Sequence, residues 1–176
     1  MKFAETKLKG VFVIEPDVAN DGRGFFACMF SQEEFKKRGI EFNILECGLS
    51  YNKRKGTLRG MHYREPDPEA KLVQCTKGSV YDVVVDVRPA SQSYCKWVAV
   101  ELTAQNRKMI YVPEGFAHGF QTLEDDTEVF YQMSAVYAPE YARAVRWDDP
   151  AFKIKWPLEV SAISEKDRNC PFIAKK

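Results

Sequence analysis

The two histidines, His62 and His118, are the residues of this 176-residue chain whose chemistry is easiest to define. Each lies a few residues after a glycine: His62 follows Gly60, and His118 follows Gly115. Histidine changes charge near neutral pH, and its neutral ring is also a common metal ligand. Any proton transfer or metal binding that uses imidazole must therefore involve one of these two positions.

The segments around both histidines resemble the two sequence boxes of the cupin barrel, which place side chains in one barrel mouth. The first box runs from Gly56 to His62, and the second is Pro-x-Gly-x-x-His at 113–118. Metal-binding cupins usually carry His-x-His in the first box, but here Arg64 takes the place of the second histidine. Three ligands are the lower limit for a catalytic metal such as zinc. The candidate metal ligands that remain are His62, Glu69 and His118.

Alternating or continuous apolar runs indicate that strands position these residues. The predicted strands are Val11–Glu15, Lys71–Lys77, Ser79–Val87, Trp97–Leu102, Met109–Val112 and Glu128–Ala135. Within Ser79–Val87 the odd-numbered residues from Tyr81 onward form an apolar face, whereas Asp82 and Asp86 lie on the other face. Many short strands with few helices predict a mostly β fold, either a sandwich or a small barrel.

Only two helices are predicted. Ser31 and Glu34 form a capping-box pattern that starts the first helix, which ends before Gly39. A second short helix is expected to start near Pro139, because proline is tolerated in the first turn of a helix. The fold is therefore expected to rely on its strands for the positions of the candidate site residues.

The composition indicates one globular domain over residues 1–176, without a linker or a repeat. Beyond 148–150 the chain is irregular, and we expect it to wrap the barrel with Trp156 and Phe172 as anchors. The net charge is +1 and the basic cluster at 53–55 is short, so no nucleic-acid partner is expected. No apolar run reaches the roughly 18 residues of a membrane span. Five cysteines without a C-x-x-C pair are typical of reduced thiols, which predicts a cytoplasmic location.

Seven motifs follow one another in an order that is specific to one enzyme family. They are Arg23-Gly24-Phe25-Phe26, Leu58-Arg59-Gly60-Met61-His62-Tyr63, Lys71-Leu72-Val73, Gly78-Ser79-Val80-Tyr81-Asp82-Val83, Tyr111-Val112-Pro113-Glu114-Gly115-Phe116-Ala117-His118-Gly119-Phe120, Arg146-Trp147-Asp148-Asp149-Pro150 and Ser164-Glu165-Lys166-Asp167-Arg168. From about residue 3 to residue 171, this set resembles the dTDP-4-dehydrorhamnose 3,5-epimerase family. The resemblance implies a cupin-type jelly roll, a homodimer, a nucleotide-sugar substrate, and no metal or organic cofactor.

The resemblance also implies an isomerase reaction. The family substrate is a nucleotide-linked 4-keto-6-deoxyhexose, whose C4 ketone acidifies the hydrogens on C3 and C5. The enzyme removes one of these hydrogens as a proton, holds the enolate, and returns a proton to the opposite face of the ring. That reaction needs a base, an acid across the ring, and donors or positive charge near the developing oxyanion.

The family's functional residues can be matched to positions in this chain. His62 matches the base, and Asp167 matches the carboxylate that orients it. Tyr131 matches the general acid, because a tyrosine is protonated at neutral pH. Lys71 matches the lysine near the C4 oxygen, where it would stabilise the enolate. The matches for substrate binding are Arg23 and Arg59 for the diphosphate, His118 as a hydrogen-bond donor, and Phe26 and Tyr137 beside the nucleotide.

Each of these assignments has an alternative. Asp167 could cap the C-terminal segment, and Lys71 could be a surface lysine on a strand. Tyr131 and His118 could be ordinary interior residues of the barrel. Tyr137 could be the general acid in place of Tyr131, because the two tyrosines are close in sequence.

Four positions differ from the family pattern. Cys28, Cys47 and Leu49 replace polar residues that help to hold the nucleotide in typical members, and Arg64 adds a cation near the pocket. We therefore expect the reaction type to be kept, with dTDP as the first choice of nucleotide and CDP or GDP as alternatives. Inversion at only one carbon, and a sugar-nucleotide-binding cupin without catalysis, are the remaining hypotheses.

Overall fold

Short β-strands dominate residues 1–173, which are the residues that the computed structural model describes. The strands are β1 (Lys2–Glu5), β2 (Phe12–Glu15), β3 (Val18–Asp21), β4 (Gly24–Ala27), β5 (Glu46–Asn52), β6 (Leu58–Arg64), β7 (Lys71–Lys77), β8 (Ser79–Asp86), β9 (Trp97–Thr103), β10 (Met109–Val112), β11 (Phe116–Thr122), β12 (Thr127–Met133) and β13 (Ala142–Ala144). The helices are α1 (Gln32–Lys36) and α2 (Glu165–Asn169), and Pro139–Tyr141 forms a 3-10 turn. No helix within residues 1–173 has the length and apolar character that crossing a membrane requires.

Two sheets face each other and enclose the main core. One has the strand order β1-β2-β10-β7-β12-β5, and the other has the order β13-β6-β11-β8-β9. Buried side chains from both sheets fill the space between them, including Val73 and Ile110 from the first and Val84 and Phe120 from the second. The prediction of a mostly β, cupin-type jelly roll with a few short helices is confirmed.

The outer face of each sheet is also covered. Phe35 of α1 packs with Phe42 and Tyr111 over the six-stranded sheet, with ring centroids 5.5 to 6.0 Å apart. The C-terminal segment packs over the five-stranded sheet, where Phe152 and Trp156 join the side chains of β8. Both faces of the central strands are therefore buried, which explains the continuous apolar runs in their sequences.

The predicted elements agree closely with the observed ones. Lys71–Lys77 and Met109–Val112 are strands with the predicted bounds, and the other predicted strands differ by at most two residues at either end. Ser31 is the N-cap of α1, where its hydroxyl oxygen accepts a hydrogen bond of 3.4 Å from the backbone N–H of Glu34. The segment that starts at Pro139 is a single 3-10 turn and not an α-helix.

The two predicted C-terminal anchors have different outcomes. Trp156 packs in the cluster over the five-stranded sheet, and its indole N–H donates to the Trp147 carbonyl over 3.0 Å. Phe172 is 55% exposed, so the prediction that it anchors the segment is wrong. Its ring lies against the Arg146 guanidinium at 5.0 Å, which is a contact at the surface. Ile173, the next residue, packs against the buried cluster instead.

The pairing of β6 with β11 places the two histidines opposite each other. His62 and His118 are partners in the antiparallel register, and a bulge follows between His118 and Phe120. The strands approach closely at Gly60, where an added Cβ would lie 2.6 Å from the Gly119 Cα atom. Gly60 also has a φ of +120°, which side chains other than glycine rarely adopt. Gly60 and Gly119 are thus required for the approach of these two strands.

Candidate active site

The predicted catalytic residues converge on one cavity of about 250 Å³ at the mouth of the barrel. Its walls come from both sheets, because β6 and β11 contribute from one side and β7 and β12 from the other. Opposing side chains of two sheets can therefore act on opposite faces of one small ring. The predicted site residues that line this cavity are Arg59, His62, Lys71, His118 and Tyr131.

His62 is bonded to Asp167, as the family resemblance implies. The His62 Nε2 lies 2.7 Å from the Asp167 Oδ1, and the second carboxylate oxygen accepts from the Gly60 N–H over 3.2 Å. Burial raises the pKa of Asp167, but the bonds from His62 and Gly60 lower it more, so it lies below its ordinary value. Asp167 is therefore a carboxylate at neutral pH and can stabilise an imidazolium.

Asp167 reaches His62 from α2, which is 105 residues further along the chain. The N-cap of this helix is Ser164, whose hydroxyl oxygen accepts from the Asp167 N–H over 3.0 Å. The alternative that Asp167 itself caps the C-terminal segment is therefore wrong. The cap fixes the helix, and the helix directs the carboxylate toward His62.

His118 has its own carboxylate partner, Asp82, which the sequence analysis did not assign to the site. The His118 Nε2 lies 2.9 and 3.0 Å from the two carboxylate oxygens of Asp82, and both residues are buried. Burial raises the pKa of Asp82, and His118 lowers it. The sequence does contain a signal for this role, because Asp82 is an aspartate within a run of valines. In the structure its neighbours on the same face, Val80 and Val84, lie in the core of the barrel.

Tyr131 and Lys71 lie in surroundings that change their acidity. Burial, with the charge of Asp82, raises the pKa of Tyr131 well above its ordinary value, so the phenol stays protonated. Burial lowers the pKa of Lys71, whereas its ion pair with Glu69 raises it. The Lys71 side chain is 12% exposed, so the alternative of a surface lysine is wrong.

A second cavity, of about 300 Å³, adjoins the first through His62 and Lys71. Tyr137 lines it, as do two cations that the sequence analysis passed over, Arg143 and Lys166. Lys166 also lines a third space beside Asp167 and Arg59. Lys166 belongs to the 164–168 motif, from which only Asp167 was assigned to the site. Nothing in the local sequence of Arg143 distinguishes it from other surface arginines. Cations thus surround the outer part of the site.

Arg59 is oriented by the strand beside it. Its Nε donates to the Asn52 Oδ1 over 2.7 Å, and its Nη2 donates to the Tyr51 carbonyl over 3.4 Å. Asn52 is buried, and it is a further residue that the sequence analysis did not single out. The guanidinium therefore keeps a fixed direction at the cavity wall.

Two predicted binding residues lie apart from the cavity. Arg23 and Phe26 belong to the β3–β4 hairpin, a separate two-stranded sheet. The Arg23 side chain is 90% exposed and pairs with Asp21 at 2.6 Å, and Phe26 is 75% exposed. Neither residue lines the cavities that contain His62. Within one chain, the structure does not bring them to the catalytic residues.

The positions that depart from the family pattern are mostly exposed. Cys47 and Leu49 lie on the edge strand β5 and point away from Glu46 and Ser50, which line the cavities. Cys28 is exposed next to the β3–β4 hairpin. Arg64 is the exception, because it is buried and lines the second cavity.

The candidate metal ligands do not form a metal site in the described part of the chain. No group of three or more His, Cys, Asp or Glu residues within 1–173 is arranged to hold an ion. Glu69 pairs with Lys71 and lies near Arg64, and His118 pairs with Asp82. Glu69, the acidic member of the three candidate metal ligands, is thus paired with cations.

Comparison with known proteins gives the chain a family. A sequence model of the family described as dTDP-4-dehydrorhamnose 3,5-epimerase matches residues 5–175. The enzyme of that name from Methanothermobacter thermautotrophicus is 42% identical over 171 residues, which cover 96% of this chain and 92% of that protein.

Solved structures agree with the sequence comparison. The dTDP-4-dehydrorhamnose 3,5-epimerase of Bacillus anthracis, with TDP and PPi bound, has a TM-score of 0.94 at 34% identity and covers 97% of this chain and 98% of its own. The dTDP-6-deoxy-D-glucose-3,5-epimerase of Legionella pneumophila, in complex with dTDP-4-keto-L-rhamnose, has a TM-score of 0.93 at 33% identity, with coverages of 98% and 92%. The chain therefore belongs to the dTDP-4-dehydrorhamnose 3,5-epimerase family of isomerases.

Proposed function

We propose that this nucleotide-sugar epimerase inverts C3 and C5 of a dTDP-4-keto-6-deoxyhexose by removing and returning protons through an enolate. One observation carries the proposal: His62, joined to Asp167 at 2.7 Å, shares a cavity with Tyr131 and Lys71. His62 belongs to one sheet and Tyr131 to the other. A sugar ring between them has a base on one face and an acid on the opposite face.

His62 acts as the base in this proposal. Its Nε2 donates to Asp167, which leaves Nδ1 to accept a proton from the substrate carbon. The Asp167 carboxylate fixes this tautomer and balances the positive charge that His62 gains. General base catalysis of this kind typically contributes about 10²- to 10⁴-fold in rate.

Lys71 and His118 stabilise the enolate in this proposal. Removal of a proton at C3 or C5 places negative charge on the C4 oxygen, and a nearby ammonium is strongly stabilising in a site with little water. His118 uses its Nε2–H for Asp82. The Nδ1 of the ring therefore remains for a hydrogen bond with the same oxygen.

Tyr131 acts as the acid in this proposal. Its raised pKa keeps the phenolic proton in place until an adjacent carbanion takes it. Tyr137 is 72% exposed and lines only the outer cavity, so it is better placed to contact the nucleotide. Arg59, with Arg143 and Lys166 at the outer cavities, supplies positive charge for the diphosphate.

The test is solvent exchange. Incubation with dTDP-4-keto-6-deoxyglucose in deuterated water is expected to place deuterium at C3 and C5, which NMR detects. The His62→Ala variant should lose exchange at both carbons, and Tyr131→Phe should exchange without completing the inversion. Tyr111→Phe, in the aromatic cluster on the outer face of the six-stranded sheet, is the matched control and should keep kcat. Full epimerisation by His62→Ala would remove His62 from the mechanism.

The same exchange experiment distinguishes the other functions. Deuterium at a single carbon would make the enzyme a monoepimerase. Exchange only with a CDP- or GDP-linked sugar would show that the substrate carries that nucleotide in place of dTDP. A thermal-shift series with dTDP, UDP, CDP and GDP measures the same nucleotide preference. Tight nucleotide binding without exchange on any substrate would indicate a binding protein that has lost catalysis.

We also propose that the protein is a cytoplasmic homodimer. Large apolar side chains that a second copy could cover remain exposed, including Phe26, Leu49 and Tyr51. Sedimentation velocity measures the oligomeric state. If Arg23 and Phe26 act across the dimer, a mixture of inactive His62→Ala and Arg23→Ala chains should recover activity. The cytoplasmic location is supported by the five cysteines, which include no C-x-x-C pair.

A further inference from the structure

Beside the catalytic cavity, two buried cations share one carboxylate. The Lys71 Nζ and the Glu69 Oε1 form a close ion pair, and both side chains are 12% exposed. Arg64 has a side chain that is 6% exposed, and its Nη1 lies 3.8 Å from the other carboxylate oxygen of Glu69. The three residues line the cavity that also contains His62. A charged triad with a net charge of +1 thus adjoins the proposed base.

Arg64 does not depend on Glu69 for its position. Its Nη1 donates to the Val136 carbonyl over 2.8 Å, and its Nη2 donates to the Asp67 Oδ2 over 2.7 Å. Arginine keeps its proton at any pH that a protein tolerates. The guanidinium is therefore a permanent positive charge that is fixed in direction by two separate partners.

Lys71 is less constrained than Arg64. Its ammonium ends a flexible four-carbon chain, and within residues 1–173 it forms its ion pair with Glu69. Burial lowers the pKa of Lys71, Glu69 raises it, and the charge of Arg64 lowers it. Without the carboxylate, two cations would repel each other in a buried space, and Lys71 could avoid this by moving away or by losing its proton.

We propose that Glu69 is a positioning residue for the epimerisation, because it holds the Lys71 ammonium at the cavity while Arg64 holds the far oxygen of Glu69. Glu69 lies two residues before Lys71, and the two side chains meet on the same side of the chain. The inference rests on the proposed role of Lys71 beside the C4 oxygen. Glu69 itself transfers no proton and need not touch the substrate.

The test measures kcat and KM for solvent exchange with dTDP-4-keto-6-deoxyglucose in Glu69→Gln. We expect kcat to fall by roughly 10- to 100-fold, since a displacement of about 1 Å in a catalytic group can reduce the rate by about 100-fold. KM should change much less, because the loss lies in the transition state. The matched control is Glu65→Gln, the same chemical change at an exposed residue of the neighbouring loop, which should keep kcat.

A background variant separates this inference from the proposed function. If Glu69 acts through Lys71, Glu69→Gln should have no further effect on kcat in a Lys71→Ala protein. Wild-type exchange by Lys71→Ala would refute the role of Lys71 and with it the inference. A large loss in Lys71→Ala, combined with unchanged kcat in Glu69→Gln, would refute the inference alone. Equal losses from Glu69→Gln in both backgrounds would also refute it.

Folding is checked on the same proteins by thermal unfolding. If Glu69→Gln does not fold, Glu69→Asp keeps the charge and withdraws the carboxylate from Lys71 by one methylene. An intermediate loss of kcat in Glu69→Asp supports positioning, and wild-type kcat in that variant overturns it. Removing both buried charges in Arg64→Gln/Glu69→Gln should recover part of the kcat that Glu69→Gln loses, because the repelling cation is gone.

Discussion

His62 and His118 face each other across β6 and β11, yet each histidine is bonded to a different carboxylate. Asp167 approaches His62 from the C-terminal helix, whereas Asp82 meets His118 from the adjacent strand β8. The His62 side chain is 45% exposed, and that of His118 is 5% exposed. The first pair can therefore exchange protons with a substrate, while the second is largely buried and meets the cavity through the His118 ring.

The first prediction concerns the accessible pair. Asp167→Asn keeps the shape of the side chain and removes its charge, so His62 loses the partner that fixes its tautomer and balances its positive charge. We expect kcat for deuterium exchange to fall by roughly 10²- to 10⁴-fold. Glu165→Gln, on the exposed side of the same helix, should keep wild-type kcat. A kcat for Asp167→Asn close to that of the wild type would contradict the assignment.

The second prediction concerns the buried pair. Asp82→Ala leaves the buried His118 without its hydrogen-bond partner, and an unsatisfied buried polar group typically destabilises a protein by about 1–3 kcal/mol. Urea unfolding measures the change in the free energy of unfolding. Glu101→Ala, at an exposed position of the neighbouring strand β9, should change it by less than about 0.5 kcal/mol. Similar stabilities for both variants would show that the pair adds nothing.

The third prediction is the pH dependence of kcat/KM. Lys71 must be protonated to stabilise the enolate, so activity is lost as the pH rises through its pKa, which burial places below the ordinary value of about 10.4. Tyr131 has a raised pKa and stays protonated over this range. The alkaline limb therefore belongs to Lys71. In Lys71→Arg, where the cation keeps its charge, kcat/KM will be lower but the limb should disappear; an unchanged limb would argue against Lys71.

The fourth prediction concerns the strand contact beneath the site. In Gly60→Ala the new Cβ would lie 2.6 Å from the Gly119 Cα and 2.8 Å from the His118 carbonyl oxygen. Because backbone atoms cannot move aside as a flexible side chain can, we expect destabilisation of at least about 3 kcal/mol. Gly22→Ala, with no atom within 4 Å of the added Cβ, should unfold at nearly the wild-type temperature. If Gly60→Ala and Gly22→Ala had equal melting temperatures, the close contact between Gly60 and Gly119 would be contradicted.

Much of the fold could be predicted from the sequence, because the central strands carry long apolar runs and the histidine motifs have a recognisable order. Ser31 was identified as a helix cap from its spacing to Glu34, which is a local property of the chain. The partnership of His62 with Asp167 could not come from local pattern, since 105 residues separate them. It came from the family resemblance.

Other features depend on packing that the sequence does not display. Alternation in β8 separates two faces but does not say that both are buried, and for this reason Asp82 was not recognised as the partner of His118. Phe172 is apolar but exposed, because Ile173 takes the place in the cluster that was expected for it. Arg64 and Glu69 could be related only after the loop between β6 and β7 had brought them together.

The helix that carries Asp167 is synthesised after the two sheets. Every strand of the two sheets, and with them His62 and Tyr131, precedes residue 145. Since domains begin to fold as they leave the ribosome, the barrel can close before the carboxylate exists. A chain in which α2 has not yet docked would therefore hold His62 without its counterion. In this way, catalytic competence depends on the docking of α2 beside β6.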